Sequence, residues 1–134
     1  MTLLDTNVIV DILSDDPAWL EWSAEQLDKR RSSGPLYINE ITYAELSAYA
    51  RAEIDLKQAL AELAIQLERT PTPALFLAGQ AFRRYRAAGG LRTSVLPDFF
   101  IGAHAQIMGL SILTRDVRRF RSYFPDVTLI APDE

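Results

Sequence analysis

Four carboxylates stand in surroundings that do not suit a carboxylate. Asp5 interrupts the apolar run Leu3-Leu4-Asp5-Thr6-Asn7-Val8-Ile9-Val10, and Glu45 falls within the stripe Ile41, Ala44, Ala48 and Ala52. Asp98 follows Pro97 at the head of an apolar segment, and Asp116 closes Leu113-Thr114-Arg115-Asp116. A carboxylate among apolar neighbours costs free energy unless something compensates it. Several brought together repel one another unless they are protonated or share a cation. The chain has no Cys and one His, so a shared cation would be held by oxygen alone, which favours magnesium or manganese over zinc. Magnesium takes a few carboxylates and keeps waters that phosphate oxygens can replace. One such ion can activate water, and two ions about 3.5–4 Å apart can stabilise both the attacking and the leaving oxygen. The chemistry is phosphodiester hydrolysis. Asp5, Asp98 and Asp116 are the expected metal ligands, and Glu45 is expected to complete the catalytic set, its alternative being a snorkelling boundary residue.

The net charge of -4 hides an asymmetry. Acids dominate up to Glu68, whereas Arg69, Arg83, Arg84, Arg86, Arg92, Arg115, Arg118, Arg119 and Arg121 follow with only Asp98 and Asp116 against them. Arginine can grip phosphate with two parallel hydrogen bonds. Arg92 and Arg115 are the expected substrate contacts. Arg83, Arg84 and Arg86 read more simply as a solubilising surface.

The elements that must position these groups follow from the pattern. A chain of 134 residues, nearly half of them hydrophobic, is one domain spanning 1–134 with a real core. Thr2 to Leu4 is too short for a helix and suits a buried strand; Val8, Ile9, Ile12 and Leu13 then recur at helical spacing, so Asp5 stands where a strand ends and a helix begins. Pro17 to Arg31 predicts a helix, with Trp19 and Trp22 as core or a partner groove. Leu36 to Ile38 is a strand, and Asn39 caps a helix running to about Ala52. Asp55 to Glu68 and Pro73 to Ala88 are further helices. Leu91 to Leu96 is a flexible loop, whose Arg92, Thr93 and Ser94 could hold phosphate. Pro97 and Asp98 open a helix that is apolar almost all round, hence central; Gly102 allows another backbone to approach, and His104 is a satisfied packing residue. Leu110 to Leu113 is a strand, a short arginine-rich helix follows Asp116, and Asp126 to Ile130 is the last strand. This alternation predicts an α/β fold, a central parallel sheet with helices on both faces. Ligands bind such sheets beyond the carboxyl ends of the strands, where Asp5 and Asp116 stand and Asp98 can join them.

No apolar run is long enough to span a membrane, and the first strand starts at once without a basic leader, so a cytoplasmic protein is expected. The absence of Cys removes disulfides, thiolate metal sites and Cys nucleophiles together.

The chain resembles the PIN-domain ribonucleases, and within them the VapC-like toxins of type II toxin–antitoxin systems, over nearly its whole length. The marks are Leu3-Leu4-Asp5-Thr6-Asn7, Thr42-Tyr43-Ala44-Glu45-Leu46, Leu96-Pro97-Asp98 with Ile101-Gly102-Ala103, and Leu113-Thr114-Arg115-Asp116. The resemblance implies that the four acids line a magnesium- or manganese-dependent site cleaving RNA, that Asn7 and Thr114 support it, that a cognate antitoxin blocks it, and that the protein is a homodimer. The family often carries a further acid just after the third; here Phe99, Phe100 and Ile101 follow Asp98, and one or two metals stay open. Haloacid-dehalogenase phosphatases need a second Asp where this chain has Asn7, and response-regulator receivers need a late Lys, whereas the last here is Lys57. The rival of another class is a non-catalytic RNA- or protein-binding PIN module.

Overall fold

The computed structural model describes residues 1–92 and 94–132. Five short parallel strands lie in the order β3-β2-β1-β4-β5. They are β1 (Thr2–Leu4), β2 (Leu36–Ile38), β3 (Ile65–Leu67), β4 (Ser111–Leu113) and β5 (Leu129–Ile130). The central strand β1 pairs Leu3 with Tyr37 of β2 on one side and with Ile112 of β4 on the other. All four pairings are parallel, so every strand ends at the same edge.

Side chains alternate across a strand, and here the alternation divides the core in two. Leu3 and Ile112 face a cluster built with Ala74, Ala78 and Ala81 of α5 (Thr72–Ala87), Phe99 and Ile101 of α6 (Leu96–Met108) and Phe120 of α7 (Arg118–Tyr123). Leu4, Leu113, Leu36 and Ile38 face the other cluster. That one is completed by Val8 and Ile9 of α1 (Thr6–Leu13), Leu27 of α2 (Leu20–Ser33), Leu46 of α3 (Glu40–Ser47) and Leu56 and Leu60 of α4 (Glu53–Glu62). The sheet is thus covered on both faces, as the pattern predicts, by seven helices among the described residues.

Four local readings are corrected. The segment expected as one helix from Asp55 to Glu68 divides: α4 stops at Glu62, Ala64 turns the chain at φ 57°, and Ile65 to Leu67 pair with β2 as an edge strand. Leu63, Ala64 and Leu67 continue a helical spacing, but an edge of β2 with unpaired backbone groups wins the segment. The helix capped by Asn39 ends at Ser47, and Ala52 caps α4 instead. Gly102 does not receive a backbone: a Cβ there would come 2.2 Å from Phe124 Cδ2, so it is an aromatic ring that requires the glycine. The last strand is confined to Leu129 and Ile130. Of the loop residues expected to hold phosphate, Thr93 lies outside the described residues. No helix among the described residues is long and apolar enough to cross a membrane.

Candidate metal centre

The edge at which the strands end carries the site. Asp5 follows β1 directly and caps α1, its Oδ1 accepting from Thr6 N at 2.8 Å. Its Oδ2 accepts from Thr114 Oγ1, just beyond β4, at 2.7 Å and from Asn7 Nδ2 at 3.4 Å. Asp5 is buried. Burial pushes its carboxyl up to about 6, against the lowering effect of the Thr114 and Thr6 hydrogen bonds; the charges of Glu45 and Asp116 push the same way as burial. Hydroxyl and amide donors keep the group in place without neutralising it.

Asp98 lies in the first turn of α6, which Pro97 starts. Burial raises its carboxyl to about 7, with the charge of Asp5 next, while Arg119 opposes the rise with its Nη1 4.0 Å from Oδ2. Asp116 and Glu45 add smaller repulsions. Glu45 projects from α3, which Asn39 starts by accepting from Ile41 N and Thr42 N immediately after β2. Its Oε1 accepts from Thr6 Oγ1 at 2.6 Å. The anomaly on the α3 stripe is therefore the side chain that reaches the cluster.

Asp116 is more exposed than Asp5 and Asp98. Its backbone N donates to Thr114 Oγ1, and its carboxylate accepts from Arg118 Nε at 3.1 Å and Nη2 at 2.9 Å. The Arg118 contact holds the Asp116 carboxyl below its ordinary range. All four acids line one cleft of about 360 Å³, together with Thr6, Asn7 and Arg115.

The donor set fits a hard divalent cation. It is all oxygen, drawn from four elements of one sheet edge, and two of its members are destabilised in their charged form by burial and by each other. As the side chains stand, no three acids among the described residues form a ready metal-binding group. Asp116 is turned onto Arg118, and Glu45 onto Thr6.

The other expected contacts divide. Asn7 and Thr114 both touch Asp5, and Asn7 Oδ1 also accepts from Arg115 N at 3.4 Å. Arg115 lines the cleft, but its guanidinium is engaged by the buried Asp11, Nε to Oδ2 at 2.7 Å and Nη2 to Oδ1 at 2.9 Å. It also lies 5.0 Å from the centre of the Trp19 ring. Arg92 is exposed, donates its backbone N to Tyr85 Oη at 3.2 Å, and is not among the residues lining the cleft. His104, expected as a satisfied packing residue, is fully buried with Nδ1 3.4 Å from both Asn39 Nδ2 and Thr70 Oγ1, while its Nε2 has no partner among the described residues.

Sequence reading gave Thr6 no contact with Glu45, and it passed over Asp11. Asp11 carried a signal: it shares a helix with Val8, Ile9 and Ile12, and a buried acid in such company needs a partner.

The PIN domain family model matches residues 2–123. No curated protein matches the chain by sequence. Among solved structures, VapBC2 from Rickettsia felis bound to a DNA fragment from its promoter is similar at a TM-score of 0.75 with 18% identity, covering 98% of each chain. A toxin–antitoxin complex from Klebsiella pneumoniae is similar at 0.70 with 21% identity, covering 100% of this chain and 99% of that one. FitAcB from Neisseria gonorrhoeae is similar at 0.67 with 26% identity, covering 97% and 96%. With four acids gathered where the parallel strands end and a family match across nearly its whole length, the chain belongs to the PIN domain family.

Proposed function

We propose that this PIN domain, taken as residues 1–134, is a magnesium- or manganese-dependent endoribonuclease and the toxin of a type II toxin–antitoxin pair. The observation that carries the reading is the convergence of Asp5, Glu45, Asp98 and Asp116 in one cleft, with Asp5 and Asp98 held where a cation would relieve them. A bound divalent cation would supply Lewis-acid stabilisation of the charge that develops on the phosphate and a lowered pKa for the attacking water. Asp5, Asp98 and Asp116 would hold it. Thr114 and Asn7 keep Asp5 oriented, and Glu45 stands ready to accept the proton of the attacking water. The toxin role is supported by the likeness of the whole chain to proteins solved as toxin–antitoxin complexes. An antitoxin arginine placed among the carboxylates would neutralise them as a cation does, and Arg118 on Asp116 is an internal example of that pairing. A cytoplasmic homodimer belongs to the same reading.

The test is cleavage of single-stranded or loop RNA. It should vanish with chelator, return with magnesium or manganese, and be blocked in a complex with the product of the adjacent reading frame. Cleavage undiminished by chelator would sink the metal mechanism. A complex that cleaves as fast as the free protein would remove the toxin role. The rival, a non-catalytic binding module, predicts RNA binding without cleavage under every metal condition.

The Arg118 contact yields a smaller prediction. The pair is exposed, Arg118 by 77% and Asp116 by 45% of the side chain, so solvent screens it and its contribution is small. Arg118→Gln should therefore lower the magnesium concentration for half-maximal thermal stabilisation modestly. An unchanged or raised midpoint would show that Arg118 does not compete for Asp116.

A further inference from the structure

We infer that Thr6 is a positioning residue for Glu45: its hydroxyl fixes the carboxylate that α3 brings to the cleft. The inference rests on the endonuclease reading of the site. Thr6 stands between two of the acids. Its backbone N donates to Asp5 Oδ1 at 2.8 Å, and its Oγ1 donates to Glu45 Oε1 at 2.6 Å. The second bond joins α1 to α3 across 39 residues of sequence. Its length is that of a hydroxyl donating to a charged carboxylate, the stronger kind of hydrogen bond.

The Glu45 side chain has no other hydrogen-bond partner among the described residues, and Oε2 is left without one. A glutamate on a helix that is only partly buried has three rotatable bonds, and here a single contact selects among its rotamers. Several neighbouring polar side chains are engaged elsewhere, Asn7 and Thr114 on Asp5, Arg115 on Asp11 and Arg118 on Asp116, while Tyr49, which also lines the cleft, is exposed. Because a hydroxyl has one proton, the bond to Glu45 also fixes which way Thr6 points. The Thr6 methyl can be kept and the donor removed by Thr6→Val; Thr6→Ser keeps the donor and removes the methyl.

The experiment is a double-mutant cycle of Thr6→Val and Glu45→Gln, with Thr6→Ser alongside. Each protein is measured for manganese binding by electron paramagnetic resonance, and for kcat and KM on an RNA that the wild type cleaves. A hydrogen bond to a charged group carries on the order of a tenfold effect. Thr6→Val should lower kcat by about that factor with KM and the manganese dissociation constant little changed, and Thr6→Ser should restore kcat. In the Glu45→Gln background Thr6→Val should add little, because the group it positions is already altered. This comparison holds even where Thr6→Val lowers the melting temperature, since a general loss of fold would act equally in both backgrounds. Equal effects of Thr6→Val with and without Glu45→Gln would overturn the inference, as would a Thr6→Ser as impaired as Thr6→Val. A wild type that binds no manganese and cleaves no RNA would overturn the endonuclease reading first, and this inference with it. A wild type that does both while Thr6→Val matches it in both would overturn the inference alone.

Discussion

Asp98→Asn should melt above the wild type in chelator by several degrees and lose RNA cleavage by a hundredfold or more, on the scale of removing one preorganised charged group from a site (on the order of 3 kcal/mol). The sign follows from the raised carboxyls. Asp5 is pushed from 3.8 to about 6 and Asp98 from 3.8 to about 7. Between pH 4 and pH 7 the folded chain therefore binds more protons at these groups than the unfolded chain does. Their cost is fully present above pH 7 and is relieved as pH falls toward 4, so in chelator this contribution to stability rises on acidification. Two units at Asp5 correspond to about 3 kcal/mol. The Asp98 side chain is a third exposed, and solvent reduces what its shift is worth. Asp98 remains the cleaner substitution, because among the described residues the one side-chain partner it loses is the Arg119 guanidinium at 4.0 Å. Asp5→Asn would gain from the relief of charge but must place an amide against the Thr6 and Thr114 donors. Magnesium should stabilise the wild type increasingly above pH 7, where the carboxylates are ionised, and Asp98→Asn much less. Melting curves with chelator and with magnesium at pH 5 and pH 8 read all of this. A variant that melts well below the wild type in chelator, yet keeps its full magnesium response, would defeat the metal-site reading.

Why this site could be read before the fold is a matter of range. Asp5 and Asp116 announce themselves by ending apolar strands, Asp98 by opening a helix after Pro97, and Glu45 by violating the stripe it sits in; each signal lies within a few residues of the acid that gives it. The alternation that sends Leu3 to one cluster and Leu4 to the other is equally local. What escaped depends on partners far along the chain. Ile65 to Leu67 becomes a strand only because β2 offers an edge nearly thirty residues earlier, and the local pattern there is helical. Arg115, expected as a phosphate contact, is also held by Asp11, 104 residues away, and nothing near it in sequence announces that pairing. Gly102 is small for the sake of Phe124, a side chain and not a backbone. Local periodicity assigns faces and ends; pairing across the fold decides which charges are spoken for.

The engaged Arg115 leads to the other large effect, on stability. Asp11 is 1% exposed, and both its oxygens are occupied, Oδ2 by Arg115 Nε at 2.7 Å and Ser23 Oγ at 2.8 Å, Oδ1 by Arg115 Nη2 at 2.9 Å. The pair ties α1 and α2 to the turn that carries Asp116, with the Trp19 ring against the guanidinium. Arg115→Ala leaves a buried carboxylate with a single hydroxyl donor, a loss of about 3–5 kcal/mol. That is a large part of the roughly 5–15 kcal/mol that holds a domain of this size, and the melting temperature should fall by roughly 10 °C or more. Removing both charges is different: Asp11→Leu with Arg115→Met should recover most of the stability, because replacing a buried pair by apolar groups of similar volume is often neutral. The same variants separate the two roles of the arginine. Were Arg115 a phosphate contact, Arg115→Ala would keep its stability and lower the salt slope of RNA affinity by about one. Held on Asp11, it should leave the slope of whatever protein remains folded unchanged, and the rescued double variant should bind RNA with the wild-type slope. Melting of Arg115→Ala at the wild-type temperature, together with a reduced slope, would return the residue to the substrate path.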